Sequence, residues 1–286
     1  MFLATLESAN AIARACLNDA LPKRGPMAEP MAYAVQGGKG LRGFLVIEGA
    51  KLFDIPDTAS RFPAAAIEAM HACSLVHDDL PCMDDDDLRR GQPTVHKKWD
   101  DATAVLVGDA LQSVAFELVA DPRAGSGDVR ADLAVSLAKG AGGEGMVLGQ
   151  ALDLGAERAP APLTLDEIIE LQAGKTGALF EWSATAGARM AQADIEPLRR
   201  YGEALGLAFQ IADDILDIEG DVTTVGKAVR KDQDAGKATF VSLLGMDGAK
   251  NRASELVDEA CDALSPYADK AESLREAARF AISRDN

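Results

Sequence analysis

The sequence predicts an all-α protein, a single large antiparallel bundle of about ten helices around a central cavity, in one domain spanning residues 1–286. Three observations lead there. Apolar residues recur at helical spacing from one end of the chain to the other. Hydrophobic residues make up 48% but aromatics only 5%, and a chain short of aromatic and β-branched side chains has little from which to build a large sheet. No linker divides the 286 residues, which are enough to bury a large core.

Taken in order, the N-terminal stretch MFLATLESANAIARACL has no cationic leader before an apolar core and carries Glu7 early. It predicts an unprocessed N-terminus rather than a signal peptide. Helical stretches then end at PKRGP (22–26), DIPDT (54–58), DPRAGSG (121–127) and ERAPAP (157–162), clusters whose residues favour turns. The segments between are predicted to run about 15 to 28 residues, as in tall antiparallel helices. No window is expected to reach the roughly 18 to 20 apolar residues that cross a bilayer, so stable membrane insertion is not predicted.

With 46 acidic and 29 basic side chains the net charge is −17. Such a surface disfavours nucleic acid and anionic membranes, although a local basic patch remains open. Cys16, Cys73, Cys82 and Cys261 show neither C-x-x-C nor zinc-finger spacing. That usage fits a reducing cytoplasm.

The stretch HDDLPCMDDDDLRRG (77–91) puts six aspartates into ten positions. Two carboxylates about 4 Å apart repel by about 1 kcal/mol in water and about 4 kcal/mol near a partly screened surface, so the run is either a solvated loop or a place that holds cations. Asp78 and Asp84, six apart, would lie about 240° apart on an unbroken helix. Pro81 bends or ends that helix and lets Asp84 return beside Asp78. His71 stands seven residues before Asp78 on the same face, with Ser74 and Leu75 between them.

An echo follows at ADDILDIEGD (212–221). Asp213 and Asp217 are one helical turn apart and share a face, with Gln210 one turn earlier. Hard cations prefer oxygen ligands, and Mg²⁺ is usually held by one or two carboxylates together with substrate phosphates. One such motif alone is commonly a solvated acidic face. Two of them, each after an apolar stretch and before basic residues, predict metal-binding walls facing one cavity. An EF-hand starting at Asp84 is excluded, because Arg89 and Val95 stand where the loop needs Gly and Glu.

Bridged diphosphates leave oxygens for guanidinium and ammonium donors. Lys39 and Arg42 in GGKGLRG are three apart on one predicted helix face. Arg89 and Arg90 follow the first aspartate run, and Lys175, Lys227 and Lys237 stand in GKTG, VGKAV and AGKAT. Lys39, Lys175 and Lys237 each directly follow a glycine, where an anion can approach backbone and ammonium together. A Walker loop is absent, since Ile169 stands where its first glycine belongs. GAGGEG (140–145) fits G-x-G-x-x-G but follows a helical stretch rather than a strand, so close helix packing explains it better than a dinucleotide site. Gln150 and Asp153 in GQALD point either to a pocket wall or to polar core packing.

From GGKGLRG through HACSLVHDDLPCMDDDDLRRGQPTVHKKW, VGDAL, GQALDL, GKTGALF and FQIADDILDIEGD to GKATF, the chain resembles the trans-isoprenyl diphosphate synthases, and the bacterial farnesyl diphosphate synthases in particular. The match covers about positions 33 to 245. The resemblance implies the isoprenoid synthase fold, a homodimer, and a prenyltransferase that condenses isopentenyl diphosphate with dimethylallyl or geranyl diphosphate. It further implies three Mg²⁺ per active site, with Mn²⁺ as a substitute. Asp78, Asp84 and Asp213 would bind these ions, supported by Asp79, Asp214 and Asp217. Arg89, Lys175, Lys227 and Lys237 would hold the allylic diphosphate. Lys39, with Gly38 before it, Arg42, His71 and Arg90 would hold isopentenyl diphosphate, while Thr176 and Gln210 turn oxygens toward the developing cation. Gly40 and Gly43 depart from the commoner G-G-K-R-L-R-P, and Val241 stands where proline is common.

Cys73 and Ser74, just before Asp78, would form part of the floor beneath the growing chain. The small Cys73 leaves a C20 product open beside the expected C15. A terpene cyclase would not need the Lys39, Arg42, His71 and Arg90 set, and an acidic Ca²⁺-binding protein would not need ordered cations.

Overall fold

The structure, a computed structural model, describes residues 2–156, 158–159, 161–219 and 238–283. In chain order its helices are α1 (Phe2–Ala20), α2 (Ala28–Ala34), α3 (Leu41–Lys51), α4 (Asp57–Asp78), α5 (Val95–Lys98), α6 (Asp101–Ala120) and α7 (Gly127–Ala141). They continue with α8 (Met146–Ala156), α9 (Leu165–Gln172), α10 (Ala178–Met190), α11 (Glu196–Glu219), α12 (Phe240–Ala263) and α13 (Glu272–Ser283). The all-α class is therefore as expected. Among the described residues the only strands are β1 (Leu88–Arg89) and β2 (Gln92–Pro93), an antiparallel pair. Contacts divide the chain into two compact units, Met1–Val135 with Ala186–Ala193, and Ser136–Thr185 with Asp194–Asn286.

In the first unit α4 packs against α1, α3 and α6. Its run Ala64, Ala65, Ala66, Ile67, Ala69, Met70, Ala72 and Cys73 is buried, the small alanines letting neighbouring helices come close. The sequence FLVI in α3 (44–47) is buried throughout, as in a helix enclosed on all sides. Phe44 meets Phe2 of α1 edge to face at 5.5 Å. Helix α6 starts where Asp100 accepts a hydrogen bond from the Thr103 amide at 2.7 Å.

Helix α6 corrects the expectation about apolar windows. By length and composition Asp101–Ala120 suffices to cross a membrane. Its residues Ala104, Val107, Gly108, Leu111, Val114, Ala115, Leu118 and Val119 are buried within the protein, the pattern of a core helix.

In the second unit α11 packs along α12 and also touches α13. Tyr201 of α11 is fully buried, and its hydroxyl donates to the Leu274 carbonyl of α13 at 2.7 Å. Capping boxes open two helices: Thr164 with Glu167 at α9, and Thr239 with Ser242 at α12. Among the described residues helix lengths run from 4 to 24 residues, shorter than predicted at the low end. The extra breaks fall at left-handed glycines and at the aspartate run, which helical periodicity does not register.

Candidate active site

Helix α4 ends at Asp78, three residues before Pro81. The chain then turns back, and the Asp84 amide donates to the Asp78 carbonyl at 2.8 Å. Pro81 thus ends the helix and the turn returns Asp84 to Asp78, as the spacing predicted. Both residues are half-buried. Asp79 differs, being only 3% exposed. Its Oδ1 accepts from Arg89 Nε at 3.0 Å and from Arg89 Nη2, and Nη2 also reaches Asp86 at 3.4 Å. Burial raises the Asp79 carboxyl above the usual carboxylate range while Arg89 pulls it down. Burial works against the charge on Arg89 as well, but the bond and charge of Asp79, with the charges of Asp86 and Asp78, together more than offset this, so the guanidinium stays charged. Asp79, expected to support metal, here anchors Arg89.

The remaining aspartates of the run shape the β1–β2 hairpin. Thr94 Oγ1 donates to the Asp86 carbonyl at 2.8 Å, and the Thr94 amide donates to the Asp87 carbonyl at 3.0 Å. Lys97 pairs with Asp87 at 2.8 Å and lies 4.0 Å from Asp85, whose φ of 49° is left-handed. The run is therefore partly scaffold: the carboxylates of Asp79, Asp85, Asp86 and Asp87 face protein cations.

The basic loop departs from expectation. Gly37, Gly38 and Gly40 take φ of 75°, 77° and 67°, and α3 begins only at Leu41. Lys39 and Arg42 therefore do not share a helix face: Lys39 is an exposed loop residue and Arg42 lies in the first turn of α3. Left-handed glycines stop the helix that simple spacing extends. Arg90 Nη1 donates to the Gln36 carbonyl at 2.9 Å, and Glu68 accepts from the Gly43 amide at 2.7 Å. A cavity of about 90 Å³ is lined by Gln36, Gly37, Asp79, Arg89, Arg90 and other residues of this unit. Burial, then the charges of Arg42, Arg90 and Arg89, push His71 well below the ordinary imidazole range. It is a neutral donor and acceptor among cations.

In the second unit GKTG forms part of a single π-helical turn, Ala173–Gly177, joining α9 to α10. Such turns occur often at functional sites, and no spacing rule marks this one in the sequence. Lys175 Nζ lies 2.6 Å from Asp153 Oδ2 of α8, which decides Asp153 as an ion-pair partner. Gln150 Nε2 is buried with no hydrogen-bond partner among the described residues. Gly149 abuts the turn so closely that a Cβ there would lie 1.9 Å from the Lys175 nitrogen. Thr176 Oγ1 donates to Gln210 Oε1 at 3.1 Å, and Gln210 Nε2 donates to Asp214 Oδ1 at 3.0 Å. Asp214 Oδ2 then accepts the Phe240 amide of α12 at 2.9 Å.

Asp214 is thus the counterpart of Asp79. In each D-D pair the second aspartate is buried and tied to protein donors, while the first, Asp78 or Asp213, is half-buried. Asp217 is half-buried one turn beyond Asp213. Among the described residues no three His, Cys, Asp or Glu side chains converge to hold a metal by themselves. Asp78 and Asp84 in the first unit, and Asp213 and Asp217 in the second, are each half-buried hard oxygen donors, the type that Mg²⁺ completed by phosphate oxygens takes. Cys73 is buried and Ser74 half-buried, its hydroxyl donating to the His71 carbonyl at 2.9 Å. Burial foremost, then Asp109 and Asp78, pushes the Cys73 thiol up to about 12. Lys227 and Lys237 lie outside the described residues. Spacing did not single out Asn10, Arg14 or Glu68, since each acts on backbone far away in sequence.

This helical architecture is that of isoprenyl diphosphate synthases of known structure. An FPP/GFPP synthase from Zymomonas mobilis in its apo form is 42% identical, with a TM-score of 0.91 over 98% of this chain and 99% of that one. A geranyltransferase from Helicobacter pylori, complexed with magnesium and isoprenyl diphosphate, is 31% identical, with a TM-score of 0.83 over 99% of this chain and 96% of that one. Residues 25–277 match the polyprenyl synthetase family, and the chain belongs to it. Farnesyl diphosphate synthase of Escherichia coli (strain K12) is 43% identical over 271 residues, 91% of this chain and 90% of that protein.

Proposed function

We propose that the chain is a trans-prenyltransferase that condenses isopentenyl diphosphate head to tail with dimethylallyl and geranyl diphosphate, giving farnesyl diphosphate (C15). The observation that carries this reading is the division of labour within each aspartate pair. One carboxylate of each pair is buried and aims the machinery, Asp79 holding Arg89 and Asp214 holding Gln210, while the other, Asp78 or Asp213, is half-buried and is a hard oxygen donor of the kind Mg²⁺ takes. The farnesyl diphosphate synthase relative at 43% identity supports the same conclusion.

Asp78, Asp84 and Asp213, with Asp217 beside the last, would hold Mg²⁺, three ions per site with Mn²⁺ as a substitute. When bound, Mg²⁺ supplies positive charge that offsets the charge on the departing diphosphate. Arg89, aimed by Asp79, and Lys175, drawn from Asp153, hold the allylic diphosphate, with Lys227 and Lys237 expected to assist. Lys39, Arg42, Arg90 and the neutral His71 hold isopentenyl diphosphate. As the allylic C–O bond breaks, positive charge develops on the carbon chain. Thr176 turns its proton toward amide oxygens, Gln210 at 3.1 Å and Gln172 at 3.4 Å, so its oxygen can present a lone pair to that charge. The double bond of isopentenyl diphosphate then forms the new C–C bond, and a proton leaves to the released diphosphate. No protein nucleophile takes part.

One catalytic domain across 1–286 belongs to this proposal, since the family match at 25–277 runs through both compact units. So do a homodimer and a cytoplasmic location, the latter supported by four unpaired cysteines. A geranylgeranyl (C20) product is the second reading. It is favoured by Cys73, a small buried side chain on the chain-length floor. The ordered cations around His71 speak against a terpene cyclase or a Ca²⁺ buffer.

Incubation with isopentenyl diphosphate and each allylic primer, followed by sizing of the products, tests the assignment. C15 alcohols after dephosphorylation are expected. A C20 product moves the assignment to the second reading, and diphosphate release without consumption of isopentenyl diphosphate overturns both. Calorimetry supplies an independent check: Mg²⁺ binds tightly with a diphosphate present, and tight binding without one indicates a metal buffer.

A further inference from the structure

The basic loop between α2 and α3 is held by side chains rather than by secondary structure. Residues 36–40 belong to no helix or strand, and three of the five are glycines in the left-handed region. Glycine loses more conformational freedom on ordering than any other residue. A loop so built needs external ties if it is to present Lys39 in one place.

Those ties come from two directions. Arg90 holds the Gln36 carbonyl at 2.9 Å, but Arg90 is itself assigned to substrate, so a bound diphosphate competes for it. From α1, Arg14 Nη2 donates to the Gly37 carbonyl at 2.8 Å and reaches the Gly38 carbonyl at 3.4 Å. Asn10, one turn earlier, extends Nδ2 to the Gly38 carbonyl at 3.5 Å. Its side chain also packs under the loop, where a Cβ on Gly40 would lie 2.4 Å from Asn10 Oδ1. Asn10 and Arg14 both precede the family match, which begins at residue 25. Neither has a role in the proposed chemistry.

We propose that Arg14, with Asn10 beside it, is a positioning residue for isopentenyl diphosphate: it clamps the Gly37 and Gly38 carbonyls and so fixes the loop that presents Lys39. The inference rests on the reading of Lys39, Arg42, His71 and Arg90 as that substrate's site. It makes α1 part of the substrate machinery.

The test uses the full chain with Arg14→Ala, Arg14→Gln and Arg14→Lys, steady-state kinetics in both substrates, and amide hydrogen exchange without substrate. Losing a charge-assisted bond to the loop should raise the KM for isopentenyl diphosphate about tenfold in Arg14→Ala, with the KM for geranyl diphosphate and kcat within about threefold. Exchange over residues 36–40 should quicken while α4 keeps its protection. Arg14→Gln, which retains a carbonyl-reaching donor without charge, should recover most of both effects. Unchanged exchange in Arg14→Ala overturns the clamp. Recovery by Arg14→Lys but not by Arg14→Gln overturns it too, because it marks a direct charge contact with substrate. If the wild-type chain does not consume isopentenyl diphosphate, the substrate assignment falls, and the exchange result still decides whether Arg14 orders the loop. Should Arg14→Ala fail to fold, Arg14→Gln and Arg14→Lys against wild type carry the comparison.

Discussion

Gly149→Ala puts the close approach of α8 to the π-turn under direct strain. The added Cβ would lie 1.9 Å from the Lys175 nitrogen, 2.5 Å from its Cα and 2.6 Å from the Gly174 carbonyl carbon, all backbone atoms. Non-bonded heavy atoms settle at about 3.5 Å or more, so helix and turn must part by about 1.5 Å. Overpacking on this scale costs about 1–3 kcal/mol. At about 2–4 °C per kcal/mol for a chain approaching this size, Tm should fall by about 2 to 12 °C. The turn carries Lys175 and Thr176, and a displacement of about 1 Å at reacting groups can cost about 100-fold in rate. Turnover should therefore drop at least that far, measured by incorporation of labelled isopentenyl diphosphate alongside a thermal melt. Gly155→Ala is the control on the same helix. Nothing lies within 4 Å of its added Cβ, so activity should persist and stability should hold or rise by up to about 1 kcal/mol. Should Gly149→Ala behave like Gly155→Ala, the close approach does not position the turn.

Asp78→Ala and Asp213→Ala each remove a half-buried carboxylate rather than a core contact. Turnover should fall by about 100- to 1000-fold, the scale of losing one group that stabilises a departing anion, with the far-ultraviolet circular dichroism unchanged; near-normal rates in both would remove them from the metal site. Cys73→Tyr enlarges a side chain that is 5% exposed and should shorten the product or keep it at C15; a longer product would place the floor elsewhere. His71 is held neutral in the fold, chiefly by burial and then by Arg42, Arg90 and Arg89. Its folded pKa is depressed, so the unfolded chain takes up the proton first. The stability it contributes is whole above about pH 6.5 and is lost as pH falls toward the depressed value. Melts across that window should show Tm falling with pH, and His71→Gln should flatten the slope; an equal slope in the variant would assign it to other groups.

Much of the site was legible because its logic is local. The turn at Pro81 that returns Asp84 to Asp78, and the one-turn spacing of Asp213 and Asp217, follow from helix geometry and from the missing amide of proline. The same local rules misplaced Lys39, because left-handed glycines on both sides of it, Gly37 and Gly38 before and Gly40 after, keep it out of a helix. They also treated every aspartate alike. Nothing in the spacing separates Asp78 from Asp79, or Asp213 from Asp214.

By itself the sequence determined the helical class, the two aspartate pairs and the order of the cations, since each depends on residue type and on contacts within one or two turns. Only the tertiary structure decided which carboxylates are spent on anchoring. Asp79 meets Arg89 ten residues on, Asp153 meets Lys175 across 22, Asp214 meets Phe240 across 26, and Arg14 meets Gly37 across 23. These partners are chosen by the packing of helices, and burial then makes each bond costly to leave unmade.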